Sequence, residues 1–154
     1  MATFVSTWLV AAPPAAAWAV LTATQQWPQW WPGFTRVVQV RAGDDGGVGQ
    51  RIHLTLNVGY RLRFGTEIVA VQPGQWARAR VVGDLRGTGI WAARPVRGGT
   101  EMTIFWDVQV QRVWMRALAP VAGGLFAAAH ARVMAAGERG LRQELTTREP
   151  TGNG

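Results

Sequence analysis

His53 and His130 are the two side chains in this sequence that ordinarily titrate near neutrality, so proton transfer at physiological pH would fall to one of them. The usual agents of covalent chemistry are missing. The chain has no Cys and no Lys, and its one Ser, Ser6, lacks the flanking glycines of a nucleophile elbow. Thiolate nucleophiles, Schiff-base lysines and phosphate-loop lysines are therefore excluded. No carboxylate stands at a spacing that marks it as a partner for His130. Three roles stay open for that ring: a buried histidine bonded to a backbone carbonyl or water, a ligand contact, or a general acid or base. His53 alternates with Ile52 and Leu54 and is expected on an outer, solvated face. Two isolated histidines without a matching carboxylate pattern do not make a metal site. No motif implies a cofactor: the glycines at 43, 46, 47 and 49 have neither the helix nor the lysine of a phosphate loop.

The remaining candidates are aromatic or basic. Nine tryptophans supply wide, rigid apolar faces in a chain otherwise rich in Ala and Gly, so something wide has to be lined or filled. Trp91 and Trp106 fall on adjacent expected strands, and Met102, Ile104, Trp106, Val108 and Val110 share one alternating face that either lines a pocket or fills it. Trp27, Trp30 and Trp31 are expected as plugs beneath short helices, with one of them able to border an entrance. Arg78 and Arg80 alternate with Ala77, Ala79 and Val81. If the small residues face outward, the arginines point inward and could fix a carboxylate or phenolate; otherwise they are solvated charges. Asp84 is expected to bond local amides of its turn.

These residues need elements to position them. Strands are expected over 3–10, 37–41, 50–56, 60–71, 75–82, 85–95 and 101–111, separated by short Gly, Pro, Asn and Asp turns that favour antiparallel pairing. Gly43 to Gly47 reads as a polar hairpin loop. Pro13 and Pro14 suit the first turn of a helix over 15–24, and the prolines at 28 and 32 leave room for only a short helical turn between them. Gly87 and Gly89 inside a strand favour curvature. A long helix is expected over about 118–145, with Phe126, His130, Val133, Met134, Gly137, Leu141 and Leu145 on one stripe and Arg132, Arg139, Arg142 and Gln143 mostly opposite. This is an α+β architecture in one domain, 1–147, followed by a flexible tail, 148–154.

Sixteen arginines against nine Asp and Glu give a formal net charge of +7. The arginines are scattered singly or in alternating pairs, which argues against nucleic acid as a partner. The uncharged first 35 residues have no basic leader and are broken by Pro13 and Pro14, so a signal peptide is not expected. The uncharged stretch 117–131 is too short to span a bilayer. A soluble, cytoplasmic protein without stable membrane insertion is expected, as monomer or homodimer.

Particular residues in this order resemble the START-like, or SRPBCC, superfamily and within it the polyketide cyclase/dehydrase and lipid-transport group. They are Ala12-Pro13 leading to Trp18; the run from Trp27 to Gly33; Gly83 to Trp91; Gly99-Thr100 with Trp106; Trp114-Met115 before Ala119-Pro120; and His130, Val133-Met134 and Gly137 to Leu141. The resemblance implies a helix-grip fold, in which a curved antiparallel sheet of about seven strands wraps a long C-terminal helix and leaves a cavity for a hydrophobic ligand. The fold hosts both carriers and cyclases, so it implies a site rather than a reaction. Where relatives often carry Asn before the helix histidine, this chain has Ala129.

The expected function is binding of a hydrophobic or aromatic small molecule, lipid or polyketide-like, against Trp91, Trp106, Phe126 and Met134, with His130 and Arg80 orienting one polar group. Two alternatives remain: a cyclase/dehydratase-type enzyme with His130 as acid or base, and an interaction or membrane-surface module presenting exposed tryptophans.

Overall fold

A computed structural model describes residues 2–111 and 119–148, without the side chains at 2, 110, 119–126 and 148. Seven strands follow the alternating segments: β1 (Ala2–Val10), β2 (Phe34–Arg41), β3 (Arg51–Asn57), β4 (Arg61–Gln72), β5 (Trp76–Gly83), β6 (Leu85–Val96) and β7 (Gly99–Val110). Two helices, α1 (Pro14–Thr22) and the single turn α2 (Trp27–Trp30), stand between β1 and β2, and α3 (Ala119–Arg148) ends the described chain. Pro14 opens α1 where its missing amide costs no hydrogen bond. The strands form one antiparallel sheet in the order β1-β7-β6-β5-β4-β3-β2. The α+β helix-grip expectation is met. The expected tail lies outside the described residues except for Arg148, which still belongs to α3.

One face of this sheet is buried and the other is wet. On β5, Ala77, Ala79 and Val81 are buried while Trp76, Arg78 and Arg80 are exposed, and β3 alternates in the same way around Ile52, Leu54 and Leu56. His53 lies on the exposed face, as its alternation predicts. Register makes the inner face uneven. Ala79 of β5 stands opposite Gly89 of β6, which stands opposite Trp106 of β7, which stands opposite Phe4 of β1. Two residues with little or no side chain therefore sit side by side in the middle of the sheet, and volume that larger residues would fill is left open there. Gly87, the next inner position on β6, has φ 154°, and a Cβ there would strike the β7 backbone at Asp107 and Val108. Only glycine lets the two strands pass this closely, in keeping with the curvature expected of it.

An aromatic cluster forms part of the core beneath the C-terminal helix. Trp31 meets Trp8, Trp27, Trp30, Phe34 and Trp91 with ring centroids 4.8–6.0 Å apart. Helix α3 seats on this cluster through two glycines. A Cβ on Gly137 would lie 2.6 Å from the Trp31 indole and 2.8 Å from Trp8, and one on Gly140 would collide with the carbonyl oxygen of Trp30. The bare backbone at Gly137 lets Trp31 Nε1 donate to the Val133 carbonyl at 3.0 Å. The same helix covers the free edge of β1: the Leu9 amide donates to Glu138 at 2.9 Å and Arg142 Nε donates to the Leu9 carbonyl at 2.8 Å. Both backbone groups are thereby withheld from an approaching strand.

Candidate functional site

Between the sheet and the earlier part of α3 lies a cavity of about 470 Å³. Its walls are the inner positions of the central strands, including Ile52, Leu54, Phe64, Ala79, Val81, Gly89, Trp91 and Trp106, and it is closed from the helix side by His130, Val133 and Met134. Trp27 and Trp31 line the cavity and also pack in the aromatic cluster, so each serves both core and cavity. The rim is made by Trp18 and Thr22 of α1, by Asp44 to Gly47 of the β2–β3 loop, and by Val71 and Pro73. Neutral polar groups, Gln50 and Thr66 among them, interrupt an otherwise apolar lining.

The rim loop is held by its own first carboxylate. Asp44 Oδ1 accepts from the amides of Gly46 and Val48, each at 2.9 Å, and the Gly49 amide ties the loop to β4 through the Ile68 carbonyl at 2.8 Å. The loop therefore stands at a fixed place beside Val71, although nothing in its local sequence points to a cavity.

His130 reaches the cavity wall from α3 and stacks on Phe4, with ring centroids 4.3 Å apart at 24°. Burial pushes its pKa down to about 4, so the ring is neutral at pH 7. Its Nε2 is sealed from solvent and has no hydrogen-bond partner among the described residues. The described residues contain no cluster of His, Cys, Asp or Glu able to hold a metal ion.

The sequence-predicted residues divide into three groups. Trp91, Trp106, Met134 and His130 come together around the cavity. Phe126 belongs to α3, but its side chain lies outside the described residues. Arg80 does not reach the site. It lies on the outer face and donates to Glu67 at 2.8 Å, and Arg51 meets the same carboxylate at 3.2 Å. This corrects the inward reading of Arg80: alternation is identical for either orientation, and the cross-strand position opposite Glu67 decides it. Asp84 has a partner that the sequence did not indicate. Its Oδ2 accepts from the Arg63 amide of β4 at 2.8 Å, a bond that reaches beyond its own turn. Apart from Trp114, which lies outside the described residues, only Trp76 is an exposed tryptophan, which removes the main support for a tryptophan-presenting module.

The curved sheet, the gripped helix and the cavity between them agree with a match of residues 1–146 to the family model described as polyketide cyclase / dehydrase and lipid transport. The chain belongs to this polyketide cyclase / dehydrase and lipid transport family. Among solved structures it is similar to the Zhui aromatase/cyclase from Streptomyces sp. R1128, at 18% identity and a TM-score of 0.81 over 99% of this chain and 98% of that one. It is likewise similar to a protein from Thermus thermophilus, at 14% identity and a TM-score of 0.83 over 97% and 100%. A START superfamily protein from Mycobacterium smegmatis matches at 17% identity and a TM-score of 0.76 over 94% and 97%. At these identities the likenesses establish the fold. No curated protein matches the chain.

Within this family fold, several lining residues went unassigned from sequence: Asp44, Asp45, Gln50, Thr66, Ile52 and Leu54. For Ile52 and Leu54 a signal was present, since they alternate on one face of β3. For Thr66 the signal was its place two residues beyond Phe64 on the same strand face. No described helix is long and apolar enough to cross a membrane.

Proposed function

We propose that the protein binds a hydrophobic or aromatic small molecule in the cavity between the sheet and α3. The observation that carries this reading is the cavity itself: about 470 Å³, walled by tryptophan, aliphatic and small side chains, falls within the size and character of pockets that enclose small ligands. Trp91 and Trp106 offer rigid aromatic faces, and Met134 offers a side chain that adapts its shape to what it touches. Affinity would come from apolar burial, with Thr66 or Gln50 meeting a polar group of the ligand. His130 contributes an uncharged ring edge held in place by Phe4.

A second reading is a cyclase/dehydratase, favoured by the family and by the place of His130 on the cavity wall. Catalysis would then consist mainly of folding a reactive chain within the cavity, with His130 exchanging a proton. Binding is the better-supported function because the ring has no carboxylate partner among the described residues and its Nε2 is closed off.

Native mass spectrometry of the protein purified from its own host tests the binding reading. The expected spectrum contains the chain plus one apolar small molecule, lost on mild activation. Recovery of the bare chain alone, combined with failure to take up any neutral aromatic probe, would overturn it. Turnover of a polyketide-like substrate that is abolished in His130→Ala, with ligand affinity retained, would favour the enzyme instead.

A further inference from the structure

We infer that the cavity selects by charge, taking uncharged hydrophobic molecules and turning away anions of the same shape, although the protein as a whole is strongly basic. This rests on the cavity being a ligand site, as proposed above. The chain carries sixteen arginines and a formal net charge of +7, yet no described arginine lines the cavity. Strands β3 and β5, which build much of its wall, bear Arg51, Arg78 and Arg80, and all three lie on the opposite face. There Arg51 and Arg80 are paired with Glu67. The inner face of the same two strands is Ile52, Leu54, Leu56, Ala77, Ala79 and Val81.

A carboxylate or sulfonate carried into such a space would lose its hydration without gaining a countercharge, which is among the costliest exchanges in protein chemistry. His130 does not supply the missing charge, because burial keeps it neutral at pH 7. The charged side chains that do border the cavity among the described residues are Asp44 and Asp45, both exposed at the rim and neither paired with a described cation. They add repulsion to an anion at the point of entry. Gln50 and Thr66, by contrast, offer donors and acceptors that suit a hydroxyl, carbonyl or amide group. The basic exterior and the cavity thus have opposite preferences. Anions are attracted to the surface as a whole and find nothing to hold them inside.

Two fluorescent probes sharing one ring body separate these effects: neutral N-phenyl-1-naphthylamine, and 8-anilinonaphthalene-1-sulfonate, which adds a sulfonate. Each is titrated into the full chain at pH 7.5 and high salt, where the exterior field is screened within a few ångströms. The expected result is saturable binding of the neutral probe at one site, with the sulfonate at least ten-fold weaker. Equal or tighter binding of the sulfonate would overturn the charge selection while leaving the cavity as a ligand site. If neither probe binds, the ligand-site reading fails, and the inference with it.

Discussion

From Gly137 to Leu145, α3 lies directly on the tryptophan cluster and the edge of β1, whereas from His130 to Met134 the same helix faces a cavity of about 470 Å³. The later segment brings backbone against indole: Gly137 and Gly140 have no side chain because Trp8, Trp30 and Trp31 occupy that space. The earlier segment meets a stretch of sheet where Ala79 and Gly89 lie side by side and do not reach the helix. One element is thus anchored at one end by removing side chains from the helix, and held off at the other by removing them from the sheet. Rigidity and vacancy are separable here because different residues control them.

The strongest way to break this division is to restore a side chain at the anchored end. Gly140→Ala places a methyl group against the Trp30 carbonyl, a backbone atom that cannot rotate away, and Gly137→Ala places one against Trp31 and Trp8. Each substitution is expected to cost about 3 kcal/mol, at the upper end of overpacking effects, despite the better helix propensity of alanine. Urea unfolding measures it; a stabilised Gly137→Ala variant would mean that the helix is not seated as described.

Acid should act on the other segment. His130 has a folded pKa of about 4, below its ordinary value of 6.5, so the unfolded chain binds a proton that the folded chain refuses between those values. Stability therefore rises with pH across that window and is lost as pH falls from about 6.5 towards 4. Allowing for the part of the ring near solvent, the loss should be about 2 kcal/mol. His130→Phe should lack this component, so its stability should fall less steeply over the same window. Parallel curves for the two proteins would show that the ring is not desolvated in solution.

Smaller effects on stability are expected from filling the cavity. Ala79→Leu adds three carbons where the sheet leaves room, and it should change unfolding free energy by less than about 1 kcal/mol, in contrast to the single methyl at Gly140. A large destabilisation would indicate that the space is already occupied by protein. Arg80→Ala should leave probe binding unchanged, since Arg80 lies on the outer face with Glu67; weakened binding of a neutral probe would return Arg80 to the site.

Much of this division was legible in the sequence. Alternation located all seven strands because one face of the sheet is buried and the other wet, and the helix stripe identified His130, Val133, Met134, Gly137, Leu141 and Leu145 as facing inward. What alternation cannot supply is which parity faces the core when both sets are plausible. On β5 that depended on Glu67 of the neighbouring strand. The rim was illegible for a related reason. Asp44 and Asp45 reach the cavity because Gly49 and Gln50 bond to Ile68, a pairing between strands that no local pattern encodes. The tryptophans were ambiguous because lining and filling ask for the same residue type, and Trp27 and Trp31 do both.

The central claim is that the space beside His130 and Met134 is a ligand site bounded by Ala79. Isothermal titration of N-phenyl-1-naphthylamine into the wild-type protein and into Ala79→Leu tests it most directly. One saturable site in the wild type, weakened at least ten-fold in an equally stable Ala79→Leu protein, is the expected result. Equal binding by both proteins, or no saturable binding by either, would contradict it.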